Sequence, residues 1–292
     1  MPLKDVLLAL VVITVWGLNF VVIKIGLQGV PPLLLGALRF LLVLFPAIFF
    51  IPRPRLPWRW LLAYGLTISL GQFAFLFYAM SVGMPAGLAS LVLQAQAFLT
   101  LLFAVPLLGE RVRTGQWLGL LVAATGLTLI GLQSGQGMTL AGFALTLCAA
   151  SMWALGNIVS RRIGRVDILG LVIWGALVPP LPFLALSLWL EGLATLERAL
   201  LGLDLTSLLA IAYLAFAATM LGYGLWGRLL SRYPASQVAP FSLLVPVVGL
   251  SASALLLGER LDTQQGAGVG LVLAGLLVNL YGARLPARAP AR

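Results

Sequence analysis

The chain has 292 residues, of which 61% are hydrophobic and only 9% are charged, and its mean hydropathy is +1.09. A soluble domain carries roughly 25% charged residues, so this composition excludes a soluble globular protein and predicts a polytopic membrane protein. The net charge of +10 does not indicate a nucleic-acid partner, because basic residues accumulate in the cytoplasmic loops of membrane proteins.

Ten apolar stretches are long enough to cross a bilayer, which takes about 20 residues of helix. Short breaks rich in Gly, Pro or Arg separate them, and only the break around 191–204 is long. We therefore expect an all-α bundle of ten transmembrane helices without a soluble domain. The predicted spans lie near 5–26, 33–51, 59–82, 85–108, 115–131, 138–159, 168–190, 206–229, 235–257 and 264–283.

The basic residues are distributed unevenly between the two sides of these spans. With the N-terminus inside, the outer loops hold only Arg198 and Arg260, while the longest outer loop carries acidic residues. The positive-inside rule therefore predicts that both termini are cytoplasmic. The cytoplasmic segments then hold 14 of the 18 basic residues: Lys4, Arg53, Arg55, Arg59, Arg111, Arg113, Arg161, Arg162, Arg165, Arg228, Arg232, Arg284, Arg288 and Arg292.

A five-residue motif occurs twice. Leu-Leu-Gly-Glu-Arg at 107–111 recurs at 256–260, an offset of 149 residues, and the match extends outward at the same offset from Pro85/Pro234 to Gly126/Gly275. Five spans separate the two copies, an odd number, so the halves must cross the membrane in opposite directions. We expect a five-plus-five inverted-topology repeat, with 1–136 and 137–292 as its units, and a substrate site near the midplane that is exposed to each side in turn.

Uncharged polar and aromatic side chains within the spans are the candidates for this site. Rings can stack on a substrate ring, and amides and hydroxyls can meet amino and carboxyl groups. The alternatives for each residue are interhelical hydrogen bonding and interfacial anchoring. The candidate substrate contacts are Trp16, Asn19, Tyr78, Gln94, Trp153, Asn157, Tyr223, Trp226 and Ser242. Gln96 and Thr100 lie on another face of span four, and Thr219 begins a stripe that continues through Tyr223 and Trp226.

Span nine contains two prolines, Pro240 and Pro246, which should distort it and free backbone carbonyls toward a cavity. Gln94 lies in the corresponding stretch of span four. Glu110 and Glu259 open the breaks before spans five and ten. They are either a gating pair with Arg111 and Arg260 or helix-end caps beside the positive N-terminus of the following span.

Two basic residues enter the spans. Lys24 and Arg39 either attract a substrate carboxylate or lie close enough to the outer interface to snorkel. The eight acidic residues all fall in loops or at span ends, so we expect neither a carboxylate proton relay nor a buried anion for a cationic drug. One cysteine and no histidine argue against a metal site, and we expect no cofactor.

Spans five and ten are rich in glycine. Gly115/Gly119 and Gly266/Gly270 are small-xxx-small pairs that permit close helix contact. We expect these spans to form peripheral scaffold or the face of a homodimer.

Three features together resemble a known family: the Trp-x-x-Asn of span one, the Pro-Ala that opens spans four and nine, and the doubled Leu-Gly-Glu-Arg followed by a Gly-rich span. They look like the EamA-type members of the drug/metabolite transporter superfamily, over essentially the whole chain. Within it, the chain looks most similar to bacterial aromatic amino acid exporters, which are also linked to paraquat efflux. The resemblance implies a ten-helix exporter of small metabolites in the bacterial inner membrane.

These observations predict a facilitated exporter of amino acids and similar metabolites that works by alternating access, with a small-molecule substrate and the lipid bilayer as partners and no enzymatic activity. One alternative is multidrug or dication efflux. Another is a carrier of sugar phosphates or nucleotide sugars, whose substrates need several cavity cations. A channel or an intramembrane enzyme is a more remote alternative.

Overall fold

The computed structural model describes residues 1–133, 135 and 137–282, and these residues form helices and no strand. Ten helical segments are long and apolar enough to cross a membrane, which confirms the predicted all-α, ten-span class. Arg284, Arg288, Arg292 and the limits 136, 283 and 292 lie outside the described residues. Spans one to ten are Leu3–Gly29, Pro32–Phe49, Trp58–Ser81, Ala86–Leu108, Thr114–Leu132, Leu140–Ile163, Ile168–Leu190, Leu205–Arg232, Gln237–Leu257 and Thr263–Tyr281.

Spans four and nine are each broken near their middle. Span four consists of helices Ala86–Val92 and Ala95–Leu108, and span nine of helices Ala235–Ser242 and Val245–Leu257. Both end at a left-handed glycine, Gly109 with φ of 69° and Gly258 with φ of 68°, where other residues are strained. The 149-residue offset of the sequence repeat relates the two caps, and it relates the two breaks to within one residue.

Spans three and eight each contain a π-helical segment. It covers Gly65–Gly71 in span three, between helices Trp58–Tyr64 and Gln72–Ser81. In span eight it covers Tyr213–Leu221, between helices Leu205–Ala212 and Gly222–Arg232. The same offset relates the two segments to within a residue. Such segments are rare and occur frequently at functional sites.

Spans five and ten pack against each other through facing glycines. A Cβ on Gly119 would lie 2.8 Å from the carbonyl oxygen of Gly275, and one on Gly126 would lie 2.6 Å from that of Gly268. The offset relates Gly119 to Gly268 and Gly126 to Gly275, so each contact joins one glycine to the counterpart of the other. This antiparallel, two-fold arrangement is consistent with an inverted repeat.

Span ten contacts span five through Gly268 and Gly275, and not through the small-xxx-small pair Gly266 and Gly270. A Cβ on either of these would meet no atom within 4 Å, so both face away from span five. The homodimer through the Gly-rich spans stays a prediction.

The remaining spans surround the main buried cluster, which draws side chains from both halves of the chain. Span seven consists of helices Ile168–Gly175 and Pro180–Leu190. A short helix, Leu193–Leu201, follows it in the long loop, and a 3-10 turn, Ala47–Phe49, ends span two.

Candidate substrate path

Trp16 joins span one to span eight. Its indole Nε1 donates a 2.9 Å hydrogen bond to the carbonyl oxygen of Ala218, within the π-helical segment. Its ring centroid lies 5.3 Å from that of Tyr223 and 5.3 Å from that of Trp226. The structure thus brings three of the predicted site residues into one aromatic cluster.

Trp153 and Asn157 join span six to the first half of the chain. The Asn157 amide donates to Oε1 of Gln96 at 2.8 Å and to Oγ1 of Thr100 at 3.0 Å. Trp153 packs against the buried cluster that contains Tyr64 and Ile68 of span three. Two of the predicted tryptophans, Trp16 and Trp153, therefore each contact the span of the opposite half that contains a π-helical segment.

Gln94 reaches the break in span nine. Its Nε2 lies 3.5 Å from the carbonyl oxygen of Ser242. Pro246 has no N–H to bond this carbonyl four residues earlier, so the proline leaves the carbonyl available to Gln94. The Ser242 hydroxyl bonds the carbonyl of Ala239 in its own helix, which also contains Pro240. Ser242 therefore contacts span four through its backbone carbonyl and not through its hydroxyl.

Two predicted residues lie apart from these clusters. Tyr78 is 39% exposed near the end of span three, away from the Trp16 cluster. Lys24 is half-buried, and its ammonium donates a 3.1 Å hydrogen bond to the carbonyl of Met80. That bond ties the end of span one to the end of span three.

Glu259 and Glu110 have other partners than Arg260 and Arg111. The carboxylate of Glu259 accepts hydrogen bonds from the backbone N–H groups of Ala86 at 2.7 Å and Gly87 at 2.9 Å. It therefore caps span four rather than span ten, the span that follows it. The positive N-terminus of a helix favours such a carboxylate.

Glu110 forms a salt bridge of 2.7 Å with Arg161, which lies at the end of span six. Both side chains are nearly half exposed, so the pair contributes little to stability. Neither alternative named Arg161, which comes from a neighbouring helix, whereas Arg111 follows Glu110 directly in the chain.

Arg39 is buried, with only 2% of the residue exposed, so the expectation that it snorkels to the interface was wrong. Its Nη2 donates a 2.9 Å hydrogen bond to Oγ1 of Thr219. The guanidinium carbon lies 4.0 Å from the ring centroid of Phe73 and 5.4 Å from that of Phe40. Packing against these rings holds the side chain inside the bundle.

Polar contacts of Asp5 also hold the start of span one. The Tyr233 hydroxyl donates a 2.6 Å hydrogen bond to Asp5, and Arg232 lies 3.7 Å from the same carboxylate. The hydrogen bond to Asp5 raises the pKa of Tyr233, since ionisation would place two negative charges together. This contact ties the start of span one to the end of span eight.

Two contacts were missed by the sequence analysis. The Tyr213 hydroxyl donates a 2.9 Å hydrogen bond to the carbonyl of Val15, beside Trp16. No pattern in the sequence indicates that bond. The Glu110–Arg161 pair could have been found, because counting spans places both residues on the same side of the membrane.

Comparisons with known proteins agree on the family. The sequence model of the EamA-like transporter family matches residues 3–132 and 140–281. Two proteins named probable amino-acid metabolite efflux pump are similar to this chain. The one from Salmonella typhimurium (strain LT2) is 54% identical and the one from Escherichia coli (strain K12) 53% identical; the matches cover 98% and 97% of this chain and 97% of each relative.

A solved crystal structure has a similar fold. It superposes on this chain with a TM-score of 0.66 and 21% sequence identity, covering 98% of this chain and 99% of its own. This likeness supports the arrangement of the ten helices.

Proposed function

Because the chain belongs to the EamA-like transporter family, we propose that it exports amino acids, aromatic or neutral ones above all, together with related small metabolites. Membership of this family makes it a multi-pass membrane transporter and not an enzyme. In the proposal the path alternates between the two sides of the cytoplasmic membrane, with both chain termini in the cytoplasm. The names of the two bacterial relatives support this substrate class.

The interior chemistry of the described spans carries the proposal. Where spans one and eight meet, the rings of Trp16, Tyr223 and Trp226 lie together, and a hydrogen bond joins the amides of Asn157 in span six and Gln96 in span four. Rings and uncharged amides suit a substrate with an aromatic or apolar side chain and a zwitterionic head.

The buried charges make the alternatives less suitable. Among the described residues, the buried charged side chains are Arg39 and, at the first turn of span one, Asp5. A dication would need an interior carboxylate, and a sugar phosphate would need several cations. Since Asp5 is bonded to Tyr233, the interior also offers no free carboxylate for proton coupling. This favours facilitated export down the substrate gradient.

The direct test is a transport panel with the purified protein in proteoliposomes. Amino acids, a sugar phosphate and methyl viologen are supplied in turn, and counterflow of each radiolabelled compound is measured. We expect amino acids to show trans-stimulation, which a carrier shows and a channel does not. Absence of amino-acid flux would overturn the proposed substrate class. Strong acceleration by an imposed proton gradient would overturn facilitated export.

A further inference from the structure

The guanidinium of Arg39 is only partly paired. Nη2 donates to Thr219, but Nε and Nη1 are buried and have no hydrogen-bond partner among the described residues. Thr219 itself is a neutral partner, and its hydroxyl also donates to the carbonyl of Leu214. Two donors of a charged group therefore remain unsatisfied in the interior.

The chain cannot neutralise this charge with its own acids. All eight of its acidic side chains lie within the described residues, and seven are bonded elsewhere. Asp5 bonds Tyr233, Glu110 bonds Arg161, Asp167 bonds Gly170, Glu191 bonds Leu33, Asp204 bonds Ser207, Glu259 bonds Ala86 and Asp262 bonds Gln265. The eighth, Glu197, is exposed in the helix Leu193–Leu201 that follows span seven.

Aromatic packing offsets only part of the cost of burial. The Phe73 ring lies against the guanidinium, which stabilises a cation but fills none of its hydrogen-bond positions. A buried charge without a counter-ion is strongly unfavourable, and within a membrane it marks a functional site by default. The two unpaired nitrogens of Arg39 are suited to an anion that is not part of the chain.

Unpaired acceptors occur on the neighbouring spans. Oδ1 of Asn19 in span one and Oε1 of Gln72 in span three are buried without a partner. Gln72 directly precedes Phe73, the residue that packs on Arg39. Span two therefore carries unsatisfied donors, and spans one and three carry unsatisfied acceptors. The donors suit a carboxylate and the acceptors suit an ammonium group, so together they suit a molecule that has both.

We propose that Arg39 is the anchor for the substrate carboxylate, with Nε and Nη1 donating to it while Thr219 holds Nη2. This inference rests on the proposed amino-acid transport and assigns its charge-recognition residue. The Arg39 side chain is sealed in this structure, so substrate reaches it when spans two, three and eight separate. The planar guanidinium matches a carboxylate in a way that a lysine ammonium does not.

The test compares an amino acid with its own carboxamide, which keeps the side chain and the ammonium group and removes the negative charge. L-Phenylalanine, L-leucine and L-serine are each tried, and the one with the strongest counterflow is used. In the wild type, we expect the carboxamide to compete at least tenfold more weakly than the acid. In Arg39→Gln, we expect the KM for the acid to rise at least tenfold and the preference for acid over amide to vanish. Arg39→Lys should keep an intermediate preference.

Arg53→Gln is the matched control. Like Arg39, Arg53 donates one hydrogen bond, here to the carbonyl oxygen of Leu56, and lies against an aromatic ring, 3.8 Å from the Trp58 centroid, but it is in the loop before span three. We expect wild-type preference in this variant. A purely structural Arg39 would lower the yield or the melting temperature of the variants without changing the acid-to-amide ratio.

The proposal is overturned if the wild type accepts the carboxamide as well as the acid, or if Arg39→Gln keeps the wild-type ratio. If no Arg39 variant folds, the wild-type comparison can still overturn the proposal, because an anchor for the carboxylate requires a preference for the acid. Failure of all amino acids in the wild type would overturn the proposed function as well, whereas amino-acid transport without carboxylate preference would overturn the anchor alone.

Discussion

The carboxylate of Glu259 lies 2.7 Å from the backbone nitrogen of Ala86, 173 residues earlier in the chain. The second oxygen accepts from Gly87, so the end of span nine closes the first turn of span four. A motif that repeats within the sequence thus makes a contact between the two repeats.

Glu259→Ala should destabilise the fold. Two N–H groups of span four lose their acceptor, and loss of a helix N-cap costs about 1 kcal/mol. We expect a melting temperature about 2–4 °C lower by intrinsic fluorescence in detergent. The melting temperature of Glu259→Gln, which keeps one acceptor oxygen, should lie between those of the wild type and Glu259→Ala.

Glu197→Ala, in the exposed helix Leu193–Leu201, is the control and should melt as the wild type does. Equal melting temperatures for Glu259→Ala and wild type would show that the cap does not stabilise the fold.

Gly126→Ala should separate spans five and ten. The new methyl would lie 2.6 Å from the carbonyl oxygen of Gly268, and neither backbone can move aside without shifting a helix. Gly270→Ala places a methyl in open space on the same pair of spans and should not lower the melting temperature, since alanine favours a helix over glycine by about 1 kcal/mol.

The measurement is thermal unfolding of both variants in the same detergent. A Gly126→Ala protein at least as stable as Gly270→Ala would contradict the backbone contact described here.

Trp153→Ala and Tyr78→Ala should both reduce amino-acid counterflow without abolishing folding. We expect the larger effect for Trp153, roughly three- to tenfold in kcat/KM, because an aromatic contact contributes about 0.5–1.5 kcal/mol and this ring packs against buried clusters. Tyr78 is more exposed and should matter less.

Trp189→Ala is a suitable control, since this ring is 78% exposed on span seven. Unchanged flux in both Trp153→Ala and Tyr78→Ala would remove the two residues from the substrate path.

Asp204 should give the fold a measurable dependence on acidic pH. Its carboxylate accepts from the backbone N–H of Ser207 at 2.8 Å, at the start of span eight, and this hydrogen bond lowers its pKa below the ordinary 3.8. A pKa that is lower in the folded state means that the stabilisation is complete above the ordinary value and is lost as pH falls through the folded value.

The melting temperatures of wild type and Asp204→Ala should therefore differ by a constant amount from neutral pH down to about pH 5, and the difference should shrink below the ordinary pKa. Asp204→Asn keeps the cap without titrating and should show no such loss. A difference that persists unchanged into strong acid would refute the assignment.

The sequence was sufficient to predict the spans because each is a long local run of apolar residues. The offset of 149 likewise relates the left-handed caps at Gly109 and Gly258, since glycine is the residue that adopts this conformation without strain. The break at Pro246 was also predictable, because a missing N–H is a property of the residue itself.

Other features depend on neighbours that are distant in the chain. From the local sequence, Arg39 lies close enough to a helix end to reach the interface. Its burial results from contacts with Phe73 of span three and Thr219 of span eight, which are distant in the chain. No residue type in the π-helical segments predicts that conformation from the sequence. The break in span four likewise contains no proline that would predict it. Glu259 carries the same local motif as Glu110, yet the two bind different kinds of partner.

The buried guanidinium of Arg39 has a consequence for the energy balance of the cell. A proton or sodium ion that approached it would meet electrostatic repulsion in a medium of low dielectric constant, and a fixed cation of this kind excludes protons and other cations from a pore. In the proposed mechanism, the spans could then separate for a zwitterion without opening a leak for the ions whose gradients energise the membrane.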